Sequence, residues 1–134
     1  MEKATNKVTP IKKAPEDWEI QWERCKPYIA KAIKHQDSYT IDDIEDKIRH
    51  GQFHLWPGKK SAMVTGFAEY PQLKALNMVF CGGDYKELEN MLPSLEAFAR
   101  LNDCKRLYGG GRSGWLRKIK HLGFEDACLI KKDL

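Results

Sequence analysis

No apolar run in the sequence approaches membrane-spanning length, which excludes a transmembrane helix as the organising element. The opening residues lack the apolar core of a secretory leader, so a cytoplasmic setting is expected. Cysteine is sparse. Cys25, Cys81, Cys104 and Cys128 stand far apart and none is paired at metal-site spacing, which argues against a zinc module or a disulfide framework and for reduced, mostly buried thiols. His50 and His54 are four apart but flank Gly51 at a helix end, a poor arrangement for a metal, so no metal is expected. Internal repeats and low-complexity tracts are also missing.

What is present fits one ordinary domain. The chain has 134 residues, of which 42% are hydrophobic and 31% charged. A chain of this size buries about two-thirds of the surface its unfolded form exposes, so a core alone can hold it. Net charge is +4. The last 34 residues carry eight Lys or Arg against four Asp or Glu, an excess suited to an anionic ligand.

Residues 1–14 are rich in Lys, Thr and Pro and read as a flexible lead-in, with a short strand considered at 9–13; residues 15–134 read as the single domain. A helix starts near Pro15, with Trp18, Trp22, Cys25, Ile29 and Ala32 on one apolar face, and Pro27 predicts a kink or break in it. A second helix is capped by Thr40, has Asp42 and Asp43 in its first turn and Ile41, Ile44 and Ile48 on one face, and stops at Gly51. Three strands follow at 52–56, 61–70 and 76–81, with short turns between them, which makes an antiparallel meander. Alternation places Leu76, Met78 and Phe80 on one face of the third strand.

A strong helix comes next. Asp84 and Glu87 have capping-box spacing, Leu88, Met91, Leu92, Leu95, Phe98 and Ala99 form the apolar stripe, and Pro93 predicts a bend or a fresh start. After it come a strand at 104–108, a glycine loop at 109–111, a basic helix at 113–121 ended by Gly123, and a final strand at 124–131.

This order resembles the GNAT acetyltransferases, in which a helical pair precedes the meander. The run from Arg112 to Phe124 matches the family's ending in spacing. Arg112 stands where an Asn is usual, and Leu122-Gly123-Phe124 is kept. The resemblance implies an α/β fold with a mixed, mostly antiparallel sheet and helices on both faces. It also implies a site for acyl-CoA, here acetyl-CoA, with an amine acceptor as second substrate. The family binds the cofactor pyrophosphate at the loop after the third meander strand, where this chain has Cys81-Gly82-Gly83-Asp84-Tyr85-Lys86. Val79, Phe80, Cys81, Gly82, Gly83, Tyr85, Lys86, Arg112 and Trp115 are therefore the candidate cofactor-binding residues.

The Tyr that many members use as general acid maps onto Ile119, which has no proton to donate. Tyr108 and Tyr85 are the candidate substitutes, and Glu69 or His54 the candidate general base. Glu69 and Tyr108 are the leading catalytic pair. The altered phosphate loop and the missing Tyr also resemble non-catalytic GNAT-fold accessory or virion-associated proteins of bacteriophages, which would act in the host cytoplasm or the virion with protein partners. A third reading gives the basic residues Arg117, Lys118 and Lys120 to nucleic acid, with a solvated helix face as the default. Cys81 reads as a core thiol before it reads as a nucleophile.

Overall fold

The computed structural model describes residues 15–110 and 114–134. The strand considered at 9–13 and the lead-in at 1–14 lie outside the described residues, as do Gly111, Arg112 and Ser113.

Helix α1 (Pro15–Ala32) runs through Pro27 without a break and is followed by a 3-10 turn at Ile33–His35. Its apolar stripe explains the continuity. Trp18, Trp22, Cys25 and Ile29 are all buried, and packing of that face outweighs one missing backbone donor. Helix α2 (Ile41–Arg49) begins as the sequence predicts. Thr40 accepts from the Asp43 N–H, and Asp43 accepts in return from the Thr40 N–H, a full capping box worth about 1 kcal/mol. Those bonds, the backbone one first, hold the Asp43 carboxyl below its usual range.

Strands β1 (Phe53–Pro57), β2 (Ser61–Glu69), β3 (Lys74–Gly83) and β4 (Arg106–Gly109) form one sheet in the order β1-β2-β3-β4. The first three are antiparallel, and β4 lies parallel to β3 after the crossover through helix α3 (Tyr85–Leu101). The α/β class and the mostly antiparallel mixed sheet agree with expectation. Helix α3 also passes its proline, Pro93, unbroken, because Leu88, Met91, Leu92, Leu95 and Ala99 are buried along its length. Helix α4 (Gly114–Ile119) is short and ends in a 3-10 turn at Lys120–Leu122, where Gly123 takes φ 98°.

Helices cover both faces of the sheet. On one, α1 and α2 pack over Leu55, Ala62 and Val64, with Phe53, Tyr39 and Phe80 at the margin. On the other, α3 packs over Trp56, Met63 and Leu76, with Phe67, Met78, Cys81, Leu107 and Trp115 joining. Thr65 is a fully buried polar residue on the α3 face. Its hydroxyl accepts from Trp56 Nε1 at 2.9 Å and meets His54 Nδ1 at 3.1 Å.

Two further expectations are corrected. Phe80 does not share a face with Leu76 and Met78. Val64 pairs with Phe80 while Thr65 pairs with Met78, so Val79 is an extra residue, a β-bulge in β3. One inserted residue reverses the alternation beyond it, which sends Phe80 to the α1–α2 side and Cys81 to the α3 side. The final strand at 124–131 is also absent. Those residues form neither helix nor strand, and Leu129 and Ile130 are exposed. Apolar composition favours a strand locally, but a strand exists only where an edge receives it.

Candidate functional site

Strand β4 pairs along its whole length, but covers only the first half of β3. The ladder runs from Ala75 opposite Arg106 to Met78 opposite Gly109, and there it stops. Beyond it, β3 continues through Val79, Phe80, Cys81, Gly82 and Gly83 with β2 as its partner. The end of the ladder coincides with the bulge at Val79, leaving a notch beside the rest of β3. A bulge strengthens local twist and re-aims the backbone, so the edge of β3 that faces the notch carries peptide groups without a β4 partner among the described residues. Residue Asp84 then caps α3, whose N-terminus opens at the same end. An unpaired stretch of strand edge with a helix N-terminus at its end is a setting for an extended anionic ligand.

The glycines of this loop are held by the protein itself. A Cβ on Gly82 would run into the carbonyl oxygen of Tyr28 in α1, and one on Gly83 into the carbonyl oxygen of Lys60. Gly83 also takes φ 105°, which a side chain rarely adopts. Strand β3 thus lies close against the α1 backbone and the β1–β2 turn, and the loop is fixed in place. The donors at the helix start are partly engaged. The Asp84 N–H goes to the Lys60 carbonyl at 3.0 Å, and the Asp84 carboxylate accepts from the Glu87 N–H at 3.0 Å. The expected capping box is only half present. Glu87 turns away from the cap and accepts instead from the Ser61 hydroxyl and from the Lys60 N–H at 2.9 Å. Burial opposes ionisation of Glu87, yet these bonds and the Lys60 charge hold its carboxyl below the usual range.

Tyr85 and Trp115 meet above this end of the sheet. Their ring centroids are 5.6 Å apart, the Tyr85 hydroxyl donates to the Lys118 carbonyl at 3.1 Å, and Lys118 Nζ sits 4.9 Å from the Tyr85 ring centre. Loss of water around it and the nearby Glu89 carboxylate push the Tyr85 hydroxyl up, against Lys86. Glu89 also meets Lys86 Nζ at 3.5 Å and His121 Nε2 at 3.3 Å. Helix α4 is thereby fastened across the first turns of α3. Lys118 joins that fastening through the Tyr85 ring, while Arg117 and Lys120 are exposed.

The structure gathers Val79, Phe80, Cys81, Gly82, Gly83, Tyr85, Lys86 and Trp115 around one end of β3, while Arg112 lies outside the described residues. Of the two catalytic candidates, Glu69 sits at the other end of β3, whereas Tyr108 sits one pair before the β3–β4 ladder ends. Glu69 is exposed at the β2–β3 turn, opposite Lys74. Tyr108 lies opposite Asn77, its hydroxyl accepts from Arg106 at 2.8 Å, and its ring centroid is 6.2 Å from that of Tyr70. Gly83 is nine residues along β3 from Lys74, about 30 Å at the rise of a strand.

His54, the other candidate base, is buried between Phe67 and Phe98. Burial pushes the Cys81 thiol up to about 11, which leaves it protonated near neutrality, as a core thiol would be. Ile119, in the place of the family's Tyr, is buried. Among the described residues no group of His, Cys, Asp or Glu is arranged to hold a metal ion, and no helix is long and apolar enough to cross a membrane. Sequence reasoning missed the Ser61–Glu87 and Glu89–His121 contacts. The capping spacing of Glu87 drew attention to the right residue, but to a local partner.

The fold is that of acetyltransferases. It is similar to a crystal structure described as a probable acetyltransferase, with a TM-score of 0.63 over 87% of this chain and 91% of that one, at 9% identity. It is also similar to an acetyltransferase of Trypanosoma brucei, with a TM-score of 0.59 over 81% of this chain and 89% of that one, at 10% identity. No protein-family model and no curated protein matches the sequence.

Proposed function

We propose that the chain is a GNAT-type N-acyltransferase that takes acyl-CoA, with an amine as acceptor. The observation that carries this reading is the stretch of β3 left without a β4 partner beyond Met78, where β4 ends at Gly109, beside the bulge at Val79 and the N-terminus of α3. The notch suits the narrow arm of an acyl-CoA, and the backbone of Val79 and Phe80 is the candidate donor to a thioester carbonyl whose oxygen gains charge as the amine attacks. The mouth, at Gly82, Gly83, Tyr85 and Lys86, is the candidate seat for the pyrophosphate. Arg112 extends the same mouth in sequence and is a candidate phosphate ligand. Positioning of the two substrates supplies most of the rate in this reading. Tyr108 is the candidate proton donor, and Glu69 a candidate base that receives the acceptor's proton.

A second reading has its own support. Gly82 and Gly83 are accounted for by their contacts with Tyr28 and Lys60, Asp84 places a carboxylate at the helix mouth, and Ile119 is apolar. A GNAT-fold module without turnover, acting through a protein partner, has the same features.

Thermal unfolding with and without acetyl-CoA separates the two. The first reading expects a rise in Tm that grows with ligand concentration, because a ligand bound only to the folded state stabilises it. No shift at millimolar acetyl-CoA defeats it. Where a shift appears, Arg112→Ala is expected to reduce it, and an unchanged shift retires Arg112 as a ligand.

A further inference from the structure

Arg106, Tyr108 and Asn77 share the face of the sheet opposite α3. Leu107 and Leu76 pack into the α3 core, so alternation turns these three the other way. Helices α1 and α2 leave them outside their own core, which lies over Leu55, Ala62 and Val64. Arg106 is exposed, and Asn77 and Tyr108 are half-buried.

Arg106 lies folded along β4. Its guanidinium carbon is 5.6 Å from the Tyr108 ring centre, and Nη1 donates to the Tyr108 hydroxyl at 2.8 Å. The ladder ends one residue beyond Tyr108, about 3.3 Å along the strand. No carboxylate of the described residues pairs with this guanidinium, whereas Arg49 meets Glu45 at 3.1 Å and Arg100 meets Glu96 at 3.6 Å. A fixed fork of donors without an anion is set to receive one. Asn77 stands opposite Tyr108, and its amide bonds to no described residue.

An acyl-CoA in the notch would bring its thioester beside Met78 and Gly109. On the α3 side that place is closed by Met78, Cys81 and Trp115, which pack into the α3 core. An amine would come from the opposite face, past Asn77 and Tyr108. Its nitrogen adds to the thioester carbon and the carbon–sulfur bond breaks; the amine gives up one proton and the thiolate takes one. Resting on the acyl-transfer reading, we infer that Arg106 selects an acceptor with a carboxylate a few bonds from its amine, a small amino acid. Arg106 grips the carboxylate, and the Asn77 amide oxygen accepts from the amine N–H. Tyr70, 52% exposed with its ring centroid 6.2 Å from that of Tyr108, borders the same face and flanks the carbon skeleton. One guanidinium matches one negative charge. Lys74, beside it on β3, faces the α3 side instead, its Nζ 4.3 Å from the Phe67 ring centre, so a doubly charged phosphate is not matched.

Release of CoA thiol from acetyl-CoA tests this, with small α-amino acids, the same amino acids amidated at the carboxyl, and phosphoethanolamine as acceptors. The amino acids are expected to exceed their amides in kcat/KM by about tenfold or more. Arg106→Gln is expected to erase that preference, and Arg106→Lys, which keeps the charge without the fork, to restore part of it. The ratio is the readout, because loss of the Tyr108 hydrogen bond alone would slow both acceptors alike. Amides or phosphoethanolamine used as well as the amino acids overturn the inference, and so does a preference that survives Arg106→Gln. Turnover with none of these acceptors, while acetyl-CoA still raises Tm, overturns it and leaves the acyl-CoA reading standing. No rise in Tm with acetyl-CoA defeats that reading and the inference with it. A check without substitution uses the parent chain. The Arg106 Nε–H resonance is expected to shift on titration with an amino acid and not with its amide, and an equal or absent response overturns the inference too.

Discussion

The hydroxyl of Ser61 donates to the carboxylate of Glu87, and that contact ties the start of β2 to the first turn of α3 across 26 residues of chain. Ser61 is fully buried. The same carboxylate takes the Lys60 N–H, so it holds the β1–β2 turn against the mouth of the candidate site. Replacing Glu87 by Ala removes the acceptor and leaves a buried hydroxyl without this partner. The expected loss is about 1–3 kcal/mol, read as a lower midpoint in urea with an unchanged slope. Glu87→Gln keeps an acceptor and is expected to lose less.

The same carboxyl makes stability depend on pH. Its folded pKa is lowered by Ser61 and by backbone N–H groups despite burial. Glu45 is lowered likewise, first by the Trp22 indole N–H at 2.8 Å, with Arg49 and Lys26 adding to it. A group with a depressed folded pKa contributes stability above its unfolded pKa, near 4.5, and loses it as pH falls through the lower folded value. Denaturation midpoints are expected to be flat from pH 7 to about 5 and to fall below that. Glu45→Gln and Glu87→Gln should each flatten the fall. A slope in acid that neither substitution changes would assign the effect to other carboxylates.

The glycines at the mouth of the site make a graded prediction. Gly82→Ala drives a Cβ into the Tyr28 carbonyl, and Gly83→Ala drives one into the Lys60 carbonyl at a positive φ. Neither obstacle is a flexible side chain, so backbone must shift, and each is expected to cost about 2 kcal/mol or more. Gly123→Ala also sits at positive φ but meets nothing within 4 Å. It is expected to cost only about 1 kcal/mol, the conformational penalty alone. Equal losses at Gly83 and Gly123 would show that close approach adds nothing.

Much of the fold was legible because its signals are local. The stripe Trp18-Trp22-Cys25-Ile29, the Thr40 cap and the Asp84 cap depend on residues within a turn or two, and each is where the sequence placed it. What was not legible depends on a partner far along the chain. The bulge at Val79 is a property of pairing with Val64 and Thr65, and alternation read along β3 alone puts Phe80 on the wrong face. Residues 124–131 have strand composition, and nothing in that stretch says whether an edge is reachable. In the site, the grouping of Val79 to Lys86 with Trp115 came from the resemblance to the GNAT acetyltransferases and not from the residues alone. The isolation of Glu69 did not, because it reflects the length of the β2–β3 hairpin, which carries that residue to an exposed turn.

A buried cluster on the α3 face gives a prediction free of any functional reading. Thr65 accepts from Trp56 Nε1 at 2.9 Å and contacts His54 Nδ1 at 3.1 Å, and all three residues are buried. Thr65→Val preserves shape and deletes the acceptor. The Trp56 N–H is then left in an apolar setting, at an expected cost of about 1–3 kcal/mol. Thr65→Ser keeps the hydroxyl and loses one methyl, so about 1 kcal/mol is expected. A valine variant as stable as the parent would mean that shape, rather than the hydroxyl, matters at this position.

The attachment of α4 to α3 can be tested without assuming a ligand. Tyr85 holds α4 through its ring against Trp115 and its hydroxyl on the Lys118 carbonyl, while Glu89 meets His121 at 3.3 Å. Tyr85→Phe removes the hydrogen bond and keeps the aromatic pair, whereas Tyr85→Ala removes both. An aromatic pair contributes about 0.5–1.5 kcal/mol beyond burial, and α4 is only six residues long, so its attachment rests on few contacts. Amide exchange in α4 is expected to quicken slightly in the Phe variant and several-fold more in the Ala variant, with α1 and α2 unchanged. Exchange that rises equally in all helices would mean that Tyr85 supports the whole domain. If acetyl-CoA binds at the mouth of β3 and β4, the Ala variant should also need more ligand for the same rise in Tm, because the helix that closes one side of that mouth spends more time detached.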